Sequence, residues 1–471
     1  MSSLFIFTRD LRLEDNTGLI MALKNSINVL PVFIFDSNQI SDSNTYKSNN
    51  CVQFMIESLN ELDKSLEEKG SRLFYFYTSD YEKTIRNIIR KSDKYEIKSI
   101  YISMDYTPFA KKRQNILKKI CKDLDINFYV VEDHMLTGYD AVKKDDGSYY
   151  VKFTPYFRAA LKHKVNKPVK NKYKNYVKKS YKIDGEFTGK KESFYQENKN
   201  ILVRGGRSNA LKILKKIKNF KDYNTEREIP SHNGTTKLSA YMKFNVVSIR
   251  EVYEAFTDNL SKSNKLITQL YWRDFYMQIM NNFEVLKQPM NKGYNIEWEN
   301  NPTFIKKWKT GKTGIPIIDA AMNEMNTTGW MHNRCRMIVS NFLIKILRCD
   351  WMIGEKYFAQ SLVDYDYSNN KGGWLWNCGS KNLSGLSFSL DSQPFFRVFN
   401  PWRQAENFDP ECEYIKKWIP ELKDVPNKDI LKWNETYQNY KKIDYPKPIV
   451  EDIQEEFKKT LKLYKNRTQW V

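Results

Sequence analysis

Five short apolar runs constrain what this chain can fold into. SLFIFTR (3–9), NVLPVFIF (28–35), RLFYFYTS (72–79), SIYISMDY (99–106) and NFYVVED (127–133) are β-branched or aromatic and end in polar turns. Runs of this length and composition read as buried strands. Amphipathic stretches separate them at 16–25, 46–69, 80–93 and 107–125. In the second, Val52, Met55, Ile56, Leu59 and Leu62 recur at helical spacing, and Gly70 supplies a stop. This alternation predicts an α/β domain over residues 1–135, with a Rossmann-like parallel sheet and helices on both faces. No GxGxxG follows the first run, so the dinucleotide fingerprint is missing.

The remainder reads differently. Eleven lysines fall between Lys162 and Lys191, opposed only by Asp184 and Glu186. Residues 136–200 therefore read as a solvated, lysine-rich linker wrapped on the surface. From 201 to 471 the strand patterns fade. SNALKILKKIKNF, SIREVYEAFTDNL, YWRDFYMQIMNNF, IPIIDAAMNEMN and NRCRMIVSNFLIKIL carry apolar residues at helical spacing, so this domain is mostly α-helical. Ser208 is expected to cap the first of these helices and Ser248 the second. All eleven tryptophans lie here, between Trp272 and Trp470.

A chain of 471 residues exceeds one ordinary core, and 41% hydrophobic content suffices to build two. The net charge of +21 fits a polyanion partner, nucleic acid first, although an AT-biased genome would supply the same excess of Lys, Asn, Ile and Tyr. Six cysteines without a CxxC pair indicate free thiols in a reducing compartment, and four scattered histidines argue against a metal site. The charged N-terminus is no signal peptide, and no stretch reaches the ~18 apolar residues of a membrane span. A soluble intracellular protein is expected, in cytoplasm or nucleus.

Two segments carry chemistry. GTTKLS (234–239) sets three hydroxyls, a Gly and a Lys before a helical stretch, which suits a diphosphate; a capped helix without a ligand explains it equally. DYDYSNNKGGW (364–374) holds two carboxylates, two Asn and two Gly. These groups can bond the edge of a flat heterocycle, or simply form a turn. Arg334 and Arg336 are candidates to pair Asp364 or Asp366.

These segments stand in an ordered series: TRDLRLEDNTGL (8–19), Tyr223 with Arg227 and Pro230, GTTKLS, LYWRDFY (270–276), GKTGIPIIDAAM (311–322), GWMHNRCRM (329–337), DYDYSNNKGGW, FRVFNP (396–401) and EYIKKWIPEL (413–422). The series resembles the photolyase/cryptochrome family from residue 3 to past 440, and most closely the class I photolyases that repair cyclobutane pyrimidine dimers. The resemblance implies FAD bound in the helical domain and damaged DNA as partner of a monomer. It places Tyr223, Thr235, Thr236, Lys237, Leu238 and Ser239 on the cofactor's phosphate side. Arg336, Asp364, Tyr365 and Asp366 fall around its ring, with Asn370 facing flavin N5. Trp374, Trp351 and Trp298 match the tryptophan series that passes an electron inward from the surface. Arg227, Gln269, Trp272, Arg273, Asn333, Arg334, Met337, Trp376, Arg397 and Gln404 match positions that line the lesion pocket or touch DNA.

The series departs from the pattern in places. Gln269 stands where dimer-repairing members usually carry Glu. Members that repair (6-4) photoproducts carry Gln there but need histidines where this chain has Asn333 and Met337. Asn245 replaces the usual Gly of its turn and tolerates left-handed geometry. The segment between Trp376 and Arg397 is longer than usual and is expected to alter DNA contacts. Thr107–Pro108 occupies the place of a folate-binding Asn-Glu pair, so a second antenna chromophore, folate or deazaflavin, stays unassigned. The alternatives are a cryptochrome-type blue-light photoreceptor, whose usual C-terminal tail has no counterpart before Val471, and a (6-4) photolyase.

Overall fold

The structure, a computed structural model, describes residues 1–282, 297–378 and 396–468. The first half is a five-stranded sheet: β1 (Ser2–Phe7), β2 (Asn28–Asp36), β3 (Phe74–Thr78), β4 (Ile97–Ser103) and β5 (Asn127–Val131). Its order is β3-β2-β1-β4-β5 and every pair is parallel, as the alternation predicts. The connecting helices α1 (Thr17–Asn25), α2 (Asn49–Glu67), α3 (Tyr81–Lys91) and α4 (Pro108–Asp123) fall within three residues of the expected bounds.

The period-2 alternation of the strands assigns the faces. Leu4, Ile6, Leu30, Val32, Ile34, Ile100 and Ile102 point to one side, where Ile85 and Ile88 of α3 and Leu117 and Ile120 of α4 cover them. Phe5, Phe7, Phe33, Phe35, Tyr75 and Tyr101 point to the other and join a second core that continues into the helical half. Both halves thus bury apolar area in common, and burial of about 25 cal/mol per Å² holds them together.

The lysine-rich segment is not simply solvated. It begins with α5 (Phe153–Ala160), and further on Tyr176 pairs in parallel with Val29 while Val177 and Ile183 are buried. Apolar residues every few positions anchor this strap, and the lysines between them face water. The Ser208 expectation is also corrected. α6 (Arg207–Lys215) begins two residues earlier, at a Gly206 cap, because Glu61 takes the Ser208 amide and hydroxyl. Ser248 does cap α7 (Ile249–Asn259), in a reciprocal capping box with Glu251.

The helices that build the site are α8 (Lys265–Asn282), α9 (Pro316–Thr328), α10 (Asn333–Asn341), α11 (Trp351–Ser361), α12 (Tyr367–Cys378) and α13 (Pro401–Phe408). The run expected to continue α10 instead widens into a π-helical turn at Phe342–Ile346. α14 (Ile453–Thr468) closes the described chain. Asn245 has φ 43°, the left-handed geometry its side chain tolerates. Most of the long segment between Trp376 and Arg397 lies outside the described residues.

Buried charge welds the halves. Asp133, at the end of the sheet half, accepts from Arg12, from Arg250 Nη2 at 2.7 Å and from Thr17 Oγ1 at 2.6 Å, and the side chains of Arg12 and Asp133 are fully buried. Burial alone would raise the Asp133 carboxyl; the two guanidiniums overcome it and hold it below its ordinary range. Removing one partner of such a cluster leaves buried charge uncompensated. Asp133→Asn is therefore expected to lower unfolding stability by about 3–5 kcal/mol in urea denaturation, and a loss under about 1 kcal/mol would contradict the weld.

Candidate active site

The turn before α12 divides its two carboxylates between two arginines. Asp364 accepts from Arg336 Nη2 at 3.0 and 3.1 Å and from Ser239 Oγ at 2.6 Å. Arg336 is held in turn by the Met331 carbonyl at 2.9 Å. This joins three residues singled out by sequence, from segments almost a hundred residues apart. Asp366 points the other way. Its Oδ2 accepts from Arg9 Nη2 at 2.7 Å, and its Oδ1 takes the amides of Ser368 and Asn369 at the start of α12. Burial would raise its carboxyl, but Arg9 and Arg273 hold it well below the usual range.

Asp366 therefore does not stand beside Asp364 at one clamp; it caps α12 and ties the helical half to the loop just after β1. Arg334 pairs with neither aspartate. Two residues apart on a helix point about 200° apart, so Arg334 turns away from Arg336 and meets Glu228.

Tyr365 also departs from expectation. Its hydroxyl donates to Glu355 Oε1 at 3.4 Å, and its ring lines a separate cleft. Asn370 sits one turn into α12, where its Nδ2 donates to the Glu355 carbonyl at 3.1 Å and to Oε1 at 3.0 Å. Glu355 thus fixes the position of Asn370, a link that spacing could not reveal.

The 234–239 loop forms the opposite wall. Gly234 packs on the backbone of Glu226, where an added Cβ would lie 2.8 Å from the carbonyl oxygen. Lys237 holds φ 54°, and its Nζ donates to Asn233 Oδ1 at 2.6 Å and lies 5.2 Å from the Trp330 ring centre. Burial lowers the Lys237 pKa, and no carboxylate lies within ion-pair distance among the described residues. Thr235 and Thr236 are half-buried, Tyr223 is buried, and Leu238 is a core side chain that offers only its backbone. A glycine-tight loop with hydroxyls and a half-buried cation outside any ion pair among the described residues fits a diphosphate. The Arg336–Asp364 pair fits a flat ring with donors and acceptors on its edge.

The three tryptophans expected to carry an electron differ in exposure. Trp374 on α12 and Trp351 on α11 are buried, whereas Trp298 is half-exposed. Gly354, one turn after Trp351, leaves no room for a Cβ against the Trp374 ring. The Trp298 segment is bonded to the residues just before Trp351: the Glu299 amide donates to the Arg348 carbonyl at 3.0 Å, and the Asp350 amide to Asn300 Oδ1 at 2.8 Å.

The expected DNA face is mostly, not wholly, on the surface. Gln269 and Trp272 lie one turn apart on α8 and are half-buried; Trp272 stacks on Phe153 at 3.6 Å. Asn333 is exposed, and its Nδ2 lies 3.8 Å from Met337 Sδ. Trp376 and Gln404 are half-buried, and Arg397 is exposed. Arg227 stacks near Tyr223, its guanidinium 5.3 Å from the ring centre. Arg273 is the exception. It is buried, bonded to the carbonyls of His134 and Met242, and cannot reach DNA; helical spacing turns it inward from its neighbour Trp272.

Sequence reasoning missed a cleft of about 630 Å³ at the carboxyl ends of β1, β2 and β4, lined by Arg9, Asp36, Tyr46, Asp105, Tyr365 and Lys371. Its residues come from five separated segments, so no local pattern announced it, although open parallel sheets commonly bind ligands at this edge. Among the described residues no His/Cys/Asp/Glu group could hold a metal, and no helix is long and apolar enough to cross a membrane.

Comparison with known proteins agrees with this geometry. Residues 3–173 match the DNA photolyase family model, and residues 266–466 match the model of the FAD binding domain of DNA photolyase. A deoxyribodipyrimidine photo-lyase from Buchnera aphidicola is 31% identical, covering 98% of this chain and 96% of its own. The crystal structure of an archaeal photolyase from Sulfolobus tokodaii, described as holding two FAD molecules, is 38% identical at TM-score 0.85, covering 99% of this chain and 100% of that one. A bacterial class III photolyase from Agrobacterium tumefaciens is 26% identical at TM-score 0.88, covering 100% and 98%.

His332 caps α10 by accepting the Arg334 amide at 3.2 Å on Nδ1. Burial, then the charges of Lys237, Arg334, Arg336 and Arg227, push its pKa down to about 3. The folded protein thus binds fewer protons than the unfolded chain between pH 3 and the ordinary value of 6.5. The stability this contributes is complete above 6.5 and is lost as pH falls toward 3. His332→Asn keeps a capping side chain but does not titrate. Relative to that variant, the wild type should lose on the order of 2 kcal/mol in urea denaturation between pH 7.5 and pH 5. Parallel pH curves would show that His332 is not held neutral.

Proposed function

The chain belongs to the DNA photolyase family, and on that premise we propose that it is a light-dependent lyase that splits cyclobutane pyrimidine dimers in DNA. The observation that supports this reading best is the Asp364–Arg336–Ser239 constellation at the end of the Lys237 loop, in a helical half that also holds the buried Trp374 and Trp351 and the half-exposed Trp298. FAD, if bound there in its reduced form, would supply a light-excited electron to the dimer and take it back once the ring has opened, so that the repair is redox-neutral.

The protein's own residues bind, orient and exclude water. Ser239, Thr235, Thr236 and Lys237 would hold the diphosphate, and Arg336 with Asp364 the ring edge. Asn370, fixed by Glu355, would face the ring centre. Trp272 and Trp376 would wall the extruded dimer, whose fused ring stacks poorly and so costs less to flip than the few kcal/mol of an intact base. Gln269, one turn before Trp272, would donate its amide N–H to a dimer carbonyl. Arg227, Arg334, Asn333 and Arg397 would meet the backbone, which makes affinity salt-dependent. The absence of histidine at 333 and 337 favours the cyclobutane lesion over the (6-4) product. The cleft at the sheet edge would take a second, flat chromophore.

The buried Trp374 and Trp351 would relay an electron inward from Trp298. The test uses pre-reduced protein, blue light and oligonucleotides bearing either lesion. Cyclobutane dimers should be converted and (6-4) products left intact, while Trp298→Phe should slow photoreduction of oxidised protein about tenfold or more yet spare repair by reduced protein. Repair of neither lesion would sink the lyase reading in favour of a photoreceptor. Wild-type photoreduction in the variant would sink the relay.

A further inference from the structure

Glu228 sits between two arginines of the expected DNA face. Its carboxylate pairs with Arg334 Nη2 and lies 3.4 Å from Arg227 Nε. Each guanidinium is also backed by an aromatic ring. Arg334 lies 4.2 Å from the Phe408 ring centre and Arg227 lies 5.3 Å from that of Tyr223. All three charged side chains are partly open to solvent, at 18% for each arginine and 31% for the glutamate. Two pre-oriented cations thus share one anion, and Arg334 Nε, though buried, has no hydrogen-bond partner among the described residues.

The surroundings add to the surplus. Arg227, Arg334, Arg336 and Lys237 all press on neutral His332. Asp364 is taken by Arg336, and Glu324 by the Tyr414 hydroxyl at 2.7 Å and the His332 amide at 3.2 Å. No other carboxylate pairs with Arg227 or Arg334 among the described residues. The arrangement is built for one more anion than the protein provides.

We propose that Glu228 is a lock on the phosphate-binding arginines: in the free protein its carboxylate holds the place that a DNA phosphodiester takes in the complex. This rests on the reading that the chain acts on DNA. A carboxylate and a phosphate offer the same pair of oxygens to a guanidinium fork, so one replaces the other without new geometry. The exposed side of the trio faces solvent, which favours a backbone phosphate over the cofactor's enclosed diphosphate. The lock lowers affinity for every sequence equally, since backbone contacts carry no sequence information. It therefore shifts discrimination onto the flipped dimer.

The experiment titrates full-length, flavin-loaded protein with a labelled duplex carrying one cyclobutane dimer and with its undamaged counterpart, between about 50 and about 200 mM salt. Glu228→Gln should bind both duplexes about threefold or more tighter at low salt, with the salt slope steeper by about one phosphate contact. Glu406→Gln, which removes the same charge from an exposed site on α13 outside the trio, should bind as the wild type does. In a background carrying both Arg227→Ala and Arg334→Ala the gain from Glu228→Gln should vanish.

The lock is overturned if Glu228→Gln binds no tighter than the wild type or Glu406→Gln, or if its gain survives loss of both Arg227 and Arg334. It is also overturned if the variant changes flavin retention in place of DNA affinity, because the anion would then be the cofactor's diphosphate. Failure of the underlying DNA reading looks different: the wild type itself would bind neither duplex at any salt.

Discussion

A buried carboxylate must be paired, and the pairing of Asp366 with Arg9 organises this molecule. Asp366 is held in the charged form by guanidiniums, one of which arrives from the loop after β1, 357 residues away. Its other oxygen fixes the first amides of α12, the helix that carries Asn370 and Trp374. Two residues upstream, Asp364 is thereby free to take Arg336 and Ser239. One short turn serves as interdomain bolt and, in the proposed function, as cofactor clamp. Neither job could be left to an exposed ion pair, worth about 0–1 kcal/mol.

The same economy shows at the surface of the site. Arg227 and Arg334 are stacked on rings and so lose little further freedom when they bind, and Glu228 prevents them from facing each other unpaired. Charge is concentrated where a polyanion would dock, while His332 beneath it is kept neutral. The overall charge of +21 therefore matters less than the placement of a few cations.

Much of this was legible in the sequence. Strands and helices of the first half follow from periodicity, and β1 to β5 fall where the apolar runs stand, but β5, expected to be buried, is an edge strand with no buried residue. The Arg336–Asp364 clamp was among the pairings proposed from charge alone. What stayed hidden depends on distant partners. Glu355 fixes Asn370, Glu61 displaces Ser208 from its cap, and Arg9 claims Asp366, none within reach of a local pattern. Arg273 and Tyr365 were misplaced for a simpler reason: motif membership does not say which way a helix or turn directs a side chain. The lysine strap misled because its anchoring residues, Tyr176, Val177 and Ile183, are sparse among charges.

The central claim is that Asp364, held by Arg336 and Ser239, clamps a flavin within the helical half. The most direct measurement is the FAD released per chain from purified full-length protein and from an Asp364→Ala variant, with circular dichroism to confirm that both are folded. The account predicts close to one FAD per wild-type chain in the helical half and at least about tenfold weaker retention in the folded variant, as loss of a charge-assisted hydrogen bond of about 1.5–3 kcal/mol implies. A wild type that holds no flavin and cannot be reconstituted, or a variant that holds it equally well, would contradict it.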